Sequence, residues 1–422
     1  MTQLGISARG VPRQTGRQPT VVLLHVLVIV PFVEGARLGP LSAGRLLALV
    51  AVVILAAQLV VTRWRPPKLR PVVWVPPVLF ATWALASGFW ALHPESWLRA
   101  LGQFGLAIAY FAVFAFLVRD PAQVPPLLRT YTLAALAVSV VGVVQLAGGL
   151  RAGGFQGDPN IYGLYQVAAI PVAIELARGA GPATRRWWLA ALLPLLVSVV
   201  ATQSRGAVVA TAVVLIYLAL REGMRGGRLR VRLLPGLLVA LLAVSALVWV
   251  AASVSDRFDP ARVEEDRGSG RIDLWYVAWR AYEQHPVLGL GAGNFQPESV
   301  ELLSHEPGVQ MVQSHLLDTP GVLVHNVYLE ALSELGPPGA ALFVGTLLVT
   351  LVGLGGAARA SPSCPELAAL VPMLLAYIAG ATFLSIINSK LLWLLVGVCA
   401  ALWAAPAIRA HATHDEPAWR FR

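Results

Sequence analysis

The sequence predicts an all-α, polytopic membrane protein with about twelve transmembrane helices and one long external, periplasmic-side helical loop. Composition is the first reason, because 57% of the 422 residues are hydrophobic and 13% are charged, whereas a soluble domain carries roughly 25% charged residues. The second reason is that the apolar residues form runs close to the roughly 20 residues that a helix needs to cross a bilayer. The third is that the basic residues gather in short segments between those runs.

The apolar runs give the order of the predicted helices. Several contain proline, which membrane helices tolerate because neighbouring helices satisfy the freed carbonyls. The runs cover residues 20–36, 41–62, 71–92, 99–118, 126–149, 160–177, 187–203, 206–220, 233–254, 337–357, 366–387 and 390–410. The chain is therefore predicted to divide into transmembrane helices 1–9 (residues 1–254), an external loop with interfacial helices (255–325) and transmembrane helices 10–12 (326–422).

The placement of charge predicts the orientation and argues against nucleic acid as a partner, although the net charge is +10. The excess basic residues lie in alternate short loops, at 63–70, 119–129, 178–186 and 221–232. Such loops face the cytoplasm under the positive-inside rule, so both termini are predicted to be cytoplasmic. The loop at 255–325 has five arginines against eleven acidic residues and is predicted to face outside. Glu175 and Arg178, near the cytoplasmic end of the sixth run, predict a structural i,i+3 ion pair.

A helix is predicted inside the external loop at residues 271–284, with Ser269 as its N-cap. Trp275, Trp279 and Tyr282 recur at intervals of four and three residues, which places them in one aromatic stripe. An aromatic stripe outside the membrane is typical of a helix that lies in the headgroup layer.

Three polar residues on the predicted external side are candidates for chemistry, and each also has a simpler interpretation. Arg205, between two apolar runs, is either a snorkelling arginine at a helix end or a ligand for a lipid phosphate. Arg271, in the first turn of the loop helix, is either a surface charge paired with a loop acid or part of an anion site with free backbone N–H groups. His325, at the entrance of a span, is either a satisfied interfacial histidine or a general base.

No metal or other cofactor is predicted. Cys364 falls in a loop and Cys399 inside a span, so neither a disulfide nor a metal site follows. The loop histidines at 285, 305 and 315 lack the spacing of zinc ligands. The glycine-rich turn at 288–295 does not follow a strand and lacks the dinucleotide-binding pattern, so it predicts loop geometry and no nucleotide site.

Four short strings follow one another on the predicted external side. They are Ser204-Arg205-Gly206, Gly270-Arg271 followed by Trp275, the segment from Pro286 to Phe295, and His325-Asn326 followed by Tyr328-Leu329-Glu330. In this combination the chain resembles the O-antigen ligase and O-antigen polymerase superfamily of membrane glycosyltransferases. The ligase pattern of His-Asn, nine residues, Gly, two residues and Gly is completed here by Gly336 and Gly339. The resemblance covers the topology from end to end, but its specific strings lie between residues 200 and 340.

The resemblance implies transfer of a glycan from an undecaprenyl-diphosphate carrier to a hydroxyl acceptor on a glycan, lipid or protein, without metal and with inversion. It implies a multi-pass protein of the bacterial inner (cytoplasmic) membrane that acts on the external face in lipopolysaccharide or cell-envelope biosynthesis. His325, Arg205 and Arg271 would be catalytic: the arginines would hold the diphosphate, and His325 would receive the proton of the acceptor. Arg205, Arg271, Asn326 and Trp275 would contact the substrates.

Two alternatives stay open. Within the same superfamily, a polymerase of O-antigen or exopolysaccharide would extend a lipid-linked glycan by repeat units. In another class, a polysaccharide flippase or exporter would also have many spans with interior prolines. A transporter is expected to place charged groups near the midplane of several helices, whereas the predicted spans are nearly free of charge, which favours an enzyme.

Overall fold

The computed structural model describes residues 18–35, 67–224, 229–310 and 320–405, together with 37–38, 41–42 and six residues between 46 and 57. This part of the chain is helical apart from one two-residue antiparallel pairing, in which Arg37–Leu38 (β1) lies beside Leu41–Ser42 (β2). The predicted all-α polytopic class is confirmed.

The described helices follow the predicted order along the chain. They are α1 Gln18–Val33, α2 Pro71–Ala86, α3 Pro94–Leu117, α4 Val124–Ala147, α5 Pro159–Gly179, α6 Pro182–Ala190, α7 Leu192–Ala201, α8 Arg205–Met224, α9 Leu229–Val254, α10 Pro260–Glu265, α11 Arg271–Gln284, α12 Phe295–His305, α13 Val327–Ala360, α14 Leu370–Ala381 and α15 Lys390–Ala404.

Within the described residues, seven helical stretches are long and apolar enough to cross a membrane by themselves. Four shorter apolar helices occupy Thr20–Val33, Leu238–Val254, Pro365–Ala381 and Lys390–Ala404. Each of these eleven stretches coincides with one of the predicted runs. The remaining predicted run, at 41–62, falls mostly outside the described residues.

The tenth predicted span, at 337–357, begins earlier than the sequence indicated. Helix α13 starts at Val327, because the Asn326 side chain accepts hydrogen bonds from the first free backbone N–H groups of the helix. The helix then bends at Gly336, whose φ is +66°. A Cβ atom there would lie 2.3 Å from the carbonyl oxygen of Val287, so only glycine fits the bend.

The start of α11 differs from the prediction in one detail. The helix spans Arg271–Gln284 as predicted, but its N-cap is Gly270 in the left-handed conformation, with φ +76°. The prediction of Ser269 as the cap is wrong because Ser269 itself has φ +64° and turns its hydroxyl away from the helix. That hydroxyl bonds instead with Arg257 and Asp266.

The buried apolar residues form two clusters. The larger one fills the helical bundle around α15, where the side chains of Trp393, Leu395 and Cys399 are fully buried. The smaller one is formed by residues of the segment 255–325, namely Leu274, Val277, Ala278, Ala281, Leu290, Phe295, Leu302, Leu303 and Val324. This segment therefore has its own apolar core, and α11 packs through that core against α12 and α13.

The aromatic residues of α11 do not share one environment. Trp275 packs against the smaller cluster, and its ring centroid lies 6.2 Å from that of Phe383. Trp279 is 46% exposed, and its ring lies 5.2 Å from that of Tyr282. The predicted stripe is therefore divided: Trp275 packs between α11 and the helical bundle, whereas Trp279 and Tyr282 pack against each other nearer the surface.

Candidate functional site

A cavity of about 850 Å³ lies where the start of α5, the end of α9 and the start of α11 meet. Its lining residues are Asn160, Ser253, Val254, Ser255, Asp256, Arg257, Arg262, Asp266, Ser269, Arg271 and His325. Two of the predicted site residues, Arg271 and His325, therefore share one cavity.

Arg271 reaches this cavity as the first residue of α11. The left-handed Gly270 before it turns the chain so that the helix starts at the cavity wall. The Nε of Arg271 is buried and has no hydrogen-bond partner among the described residues. Burial, and then the positive charges of Arg257 and Arg205, lower the pKa of Arg271. Among the described residues Arg271 has no ion-pair partner, so an anion in the cavity would meet a guanidinium whose charge Asp158 and Asp266 offset only in part.

Arg205 lies beside the cavity, where groups of the protein itself hold its guanidinium. It begins α8 after a turn that is fixed by a 2.8 Å hydrogen bond from the Ser204 hydroxyl to the Asn160 side chain. Its Nε donates to the carbonyl oxygen of Arg257 at 2.6 Å, and its Nη2 lies 3.4 Å from Asp266 Oδ2. Its Nη1 is buried without a partner. A snorkelling arginine would place its head group in water, and Arg205 does not.

His325 is held in a conformation that is uncommon for a residue with a side chain, with φ +53°. Its backbone N–H donates to the Ser385 hydroxyl at 2.9 Å, and its carbonyl oxygen accepts from Trp275 Nε1 at 3.4 Å. Its Nδ1 is buried without a partner. Burial, and then the charge of Arg271, lower the pKa of His325, so the imidazole is neutral at neutral pH and can accept a proton.

Asn326 and Trp275 lie behind His325 and not among the cavity-lining residues. The Asn326 side chain caps α13 through the N–H groups of Tyr328 and Leu329. The Trp275 indole N–H bonds to the His325 carbonyl. Both residues therefore fix the position of His325. Their contact with substrate stays a prediction.

Two further arginines at this site were missed by the sequence reasoning. Arg257 lines the cavity, and Arg151, from the segment between α4 and α5, donates to the Thr202 carbonyl at 3.2 and 3.1 Å. Burial, followed by the charge of Arg257, lowers the pKa of Arg151 to about 10, with Arg271 and Arg205 adding to the effect. Arg151 did carry a signal, because it lies in a loop on the side that the charge rule leaves poor in basic residues.

Asp266, which the sequence reasoning also passed over, pairs with Arg205 and acts on Arg257. Burial alone would raise the pKa of Asp266, but the backbone N–H of Ser269 and the charge of Arg205 outweigh it, so the pKa is lowered. Asp256 also lines the cavity, and Asp158 acts on Arg151 and Arg271. These three carboxylates do not balance the five guanidiniums of Arg151, Arg205, Arg257, Arg262 and Arg271. The site therefore keeps a positive charge in a partly desolvated cavity, an arrangement that suits an anion with several oxygens.

A glycine-rich turn ties the rest of this segment to α13. Gly289, Gly291 and Gly293 all have positive φ, and a Cβ on Gly289 would lie 2.5 Å from the backbone of Glu334. The Glu334 carboxylate accepts from the N–H groups of Gly293 and Phe295 at 2.7 and 3.1 Å. The predicted role of the turn, loop geometry, agrees with these contacts.

The comparison with known families concerns the same part of the chain. Residues 190–344 match a family model described as O-antigen ligase, and no curated protein matches the sequence. The matched segment covers about a third of the chain and contains Arg205, Arg271 and His325. This segment, which carries the cavity-lining arginines and the histidine, is therefore similar to the O-antigen ligase family.

Proposed function

We propose that the protein is a membrane glycosyltransferase that moves a glycan from an undecaprenyl-diphosphate carrier to an acceptor hydroxyl, as an O-antigen ligase does. The observation that carries the proposal is a cavity lined by Arg257, Arg271 and the buried imidazole of His325, in which both arginines have a buried N–H without a partner among the described residues. This combination fits a reaction with a phosphate leaving group and a hydroxyl nucleophile.

The arginines fit the departure of the diphosphate. When the bond between the anomeric carbon and the diphosphate oxygen breaks, the electron pair stays on that oxygen and the diphosphate gains negative charge. Arg205 and Arg271 are fixed in place before the reaction by the start of a helix in each case. Fixed positive groups stabilise a developing charge without first having to reorient, and their effect is larger in a partly desolvated site than in water.

His325 fits the role of general base. The acceptor hydroxyl must lose its proton as its oxygen attacks the anomeric carbon, and a neutral imidazole can take that proton. The lowered pKa of His325 keeps it neutral at physiological pH. Attack from the face opposite to the departing diphosphate would invert the configuration at the anomeric carbon. No step in this sequence calls for a metal ion.

The proposed location is the external face of a bacterial inner membrane, with both termini in the cytoplasm. The apolar helices support a membrane protein. The basic loops at 178–186 and 221–232 support the orientation. These loops follow the ends of α5 and α8, whereas the cavity lies at the starts of the same helices.

The experiment that tests the proposal is a reconstituted reaction with a short undecaprenyl-diphosphate glycan. With the donor alone, a ladder of longer lipid-linked glycans would identify a polymerase of the same superfamily. An unchanged donor that reacts once a hydroxyl acceptor is added would identify a ligase. No reaction with any glycan, lipid or protein acceptor would contradict the enzyme proposal and favour the flippase or exporter.

A matched pair of variants ties the reaction to the site. His325→Ala should abolish transfer because no other base replaces the imidazole. His305→Ala is the control, since His305 is exposed on α12 and its ring hydrogen-bonds to the carbonyl of Glu301. Both variants should reach the membrane in wild-type amounts. Wild-type activity in His325→Ala would remove that residue from the mechanism.

A further inference from the structure

We infer that Arg257 is a third guanidinium that binds the donor diphosphate directly, an assignment that rests on the proposed glycosyl transfer. Local sequence pattern does not select Arg257, because it is one of five arginines in an acidic segment. Arg262 and Arg271 also line the cavity, but Arg262 is exposed and Arg271 is already assigned to the site. Arg267 and Arg280 form ion pairs with acidic residues.

The geometry places Arg257 in the wall of the cavity with one side of its guanidinium already fixed. Its Nη2 donates to the Ser269 hydroxyl at 2.9 Å. Its Nε is buried and has no hydrogen-bond partner among the described residues. A buried donor without a partner costs stability, and an anion oxygen in the cavity would remove that cost.

Arg257 interacts electrostatically with Arg151, Arg205 and Arg271, and these four arginines form a cationic cluster. Of the charged groups that act on Arg271 and on Arg151, Arg257 has the largest influence on each. Burial, and then Arg205, lower the pKa of Arg257 itself. Asp266 offsets this repulsion only in part, so the cluster is arranged for a multivalent anion.

The number of guanidiniums suits a diphosphate better than a single phosphate. A lipid-linked diphosphate presents oxygens on two phosphorus atoms, and breaking the bond to the sugar adds a further negative charge. Arg205 and Arg271 lie at the starts of two different helices, α8 and α11. Arg257 lies in the short turn between α9 and α10. Its carbonyl oxygen accepts from Arg205 Nε, and its side chain donates to Ser269, two residues before Arg271.

The side chain of Arg257 can be tested without removing the support of Arg205. Arg205 Nε binds the carbonyl oxygen of Arg257, which an alanine at position 257 retains. Arg257→Ala therefore removes the proposed anion ligand and its bond to Ser269, but not the backbone contact. Arg257→Lys retains the charge and loses the planar fork.

The experiment measures binding of two probes, undecaprenyl diphosphate and undecaprenyl monophosphate, to the full chain in lipid nanodiscs. The wild type should prefer the diphosphate. In Arg257→Ala, the affinity for the diphosphate should fall by about 10-fold to 100-fold. The affinity for the monophosphate should fall by less, so the ratio of the two affinities becomes smaller. The diphosphate affinity of Arg257→Lys should lie between those of the wild type and Arg257→Ala. Arg280→Ala is the matched control, since it removes the same charge from an exposed arginine that pairs with Glu283 and Glu306, and it should bind both probes like the wild type.

Three results would overturn the assignment. Unchanged diphosphate affinity in Arg257→Ala would show that the side chain does not bind the donor. An equal loss for both probes together with a lowered melting temperature would show that the residue only supports the fold. Failure of the wild type to bind either probe would instead contradict the proposed function, and the assignment of Arg257 would fall with it.

Discussion

Helices α5 and α8 run side by side in the same direction. At one pair of helix ends arginines outnumber the acidic residues, and at the other pair the charged residues form ion pairs. At one end Asn160 and the turn before Arg205 are joined by a hydrogen bond. Fifteen residues after Asn160 and sixteen after Arg205, at Glu175 and Arg221, the two helices are joined by an ion pair. The two ends are about 24 Å apart, from a rise of about 1.5 Å per residue.

At the Glu175 end, the charges are paired. The Glu175 side chain is 3% exposed and accepts from Arg178 at 2.8 Å and also from Arg221. Arg221 donates through its other terminal nitrogen to the carbonyl oxygen of Ala368, leaving its Nε without a partner. Arg178 also pairs with Glu222 at 3.0 Å. The predicted i,i+3 pair between Glu175 and Arg178 is confirmed, and it belongs to a network that joins α5, α8 and the segment before α14.

At the cavity end, arginines outnumber the acids that contact them. Among the described residues, Arg205 forms an ion pair with Asp266, whereas Arg257 and Arg271 have no ion-pair partner. Desolvated charges without partners cost stability. A protein that only needed to hold its helices together would pair these groups as it does at the other end. The difference between the two ends therefore separates arginines that stabilise the bundle from arginines that are arranged for a ligand.

The largest expected effect is on catalysis at the cavity end. Arg271→Ala should lower the rate of glycan transfer by about 10²-fold to 10³-fold, as loss of one preorganised charge-stabilising group does. It should not lower the melting temperature, because removing Arg271 relieves its repulsion with Arg257 and Arg205. Initial rates and thermal unfolding of the purified protein measure the two effects. Near-wild-type transfer would remove Arg271 from the site.

The opposite result is expected at the paired end. Glu175→Gln should destabilise the protein by about 3 kcal/mol, because it leaves Arg178 and Arg221 without their shared buried partner. The transfer rate per folded molecule should stay at the wild-type value. Glu222→Gln is the matched control, since this side chain is 50% exposed and its pairing is worth at most about 1 kcal/mol. Equal stability of the two variants would contradict the distinction between the ends.

A smaller effect concerns pH. The pKa of His325 lies below its ordinary value of 6.5 because of burial and Arg271, so activity should be lost only as the pH falls through that lowered value and protonates the base. Removing the positive charge of Arg271 raises the pKa of His325. The acidic limb of the pH–rate profile should therefore move to higher pH in Arg271→Gln.

The control for this shift is Arg271→Lys, which keeps the charge and should keep the acidic limb at the wild-type position. Measuring kcat/KM against pH for the three proteins tests the coupling. An acidic limb that stays in place in Arg271→Gln, or moves to lower pH, would mean that Arg271 does not act on the base.

The sequence predicted those features that depend on neighbours along the chain. The apolar runs predicted the helices, and Arg271 at the start of α11 followed from local pattern. The contacts of Arg257 and Arg151 could not be predicted, because they join groups 52 and 51 residues apart. For Arg151 the charge rule offered only the side of the membrane. The left-handed conformations of Ser269 and His325 were also missed, since both residue types ordinarily adopt negative φ and tertiary contacts hold them otherwise.

The smallest expected effect tests how the cavity end holds its histidine. The Ser385 hydroxyl accepts the backbone N–H of His325 at 2.9 Å and hydrogen-bonds to the Glu330 side chain. One hydrogen bond of this kind contributes about 1 kcal/mol, so Ser385→Ala should lower the transfer rate about fivefold by loosening the strained His325 backbone. Ser385→Thr keeps the hydroxyl and should restore the rate. If alanine and threonine reduce transfer equally while donor binding is unchanged, the hydroxyl is not what positions the base, and His325 is held by the Trp275 contact and the α13 cap alone.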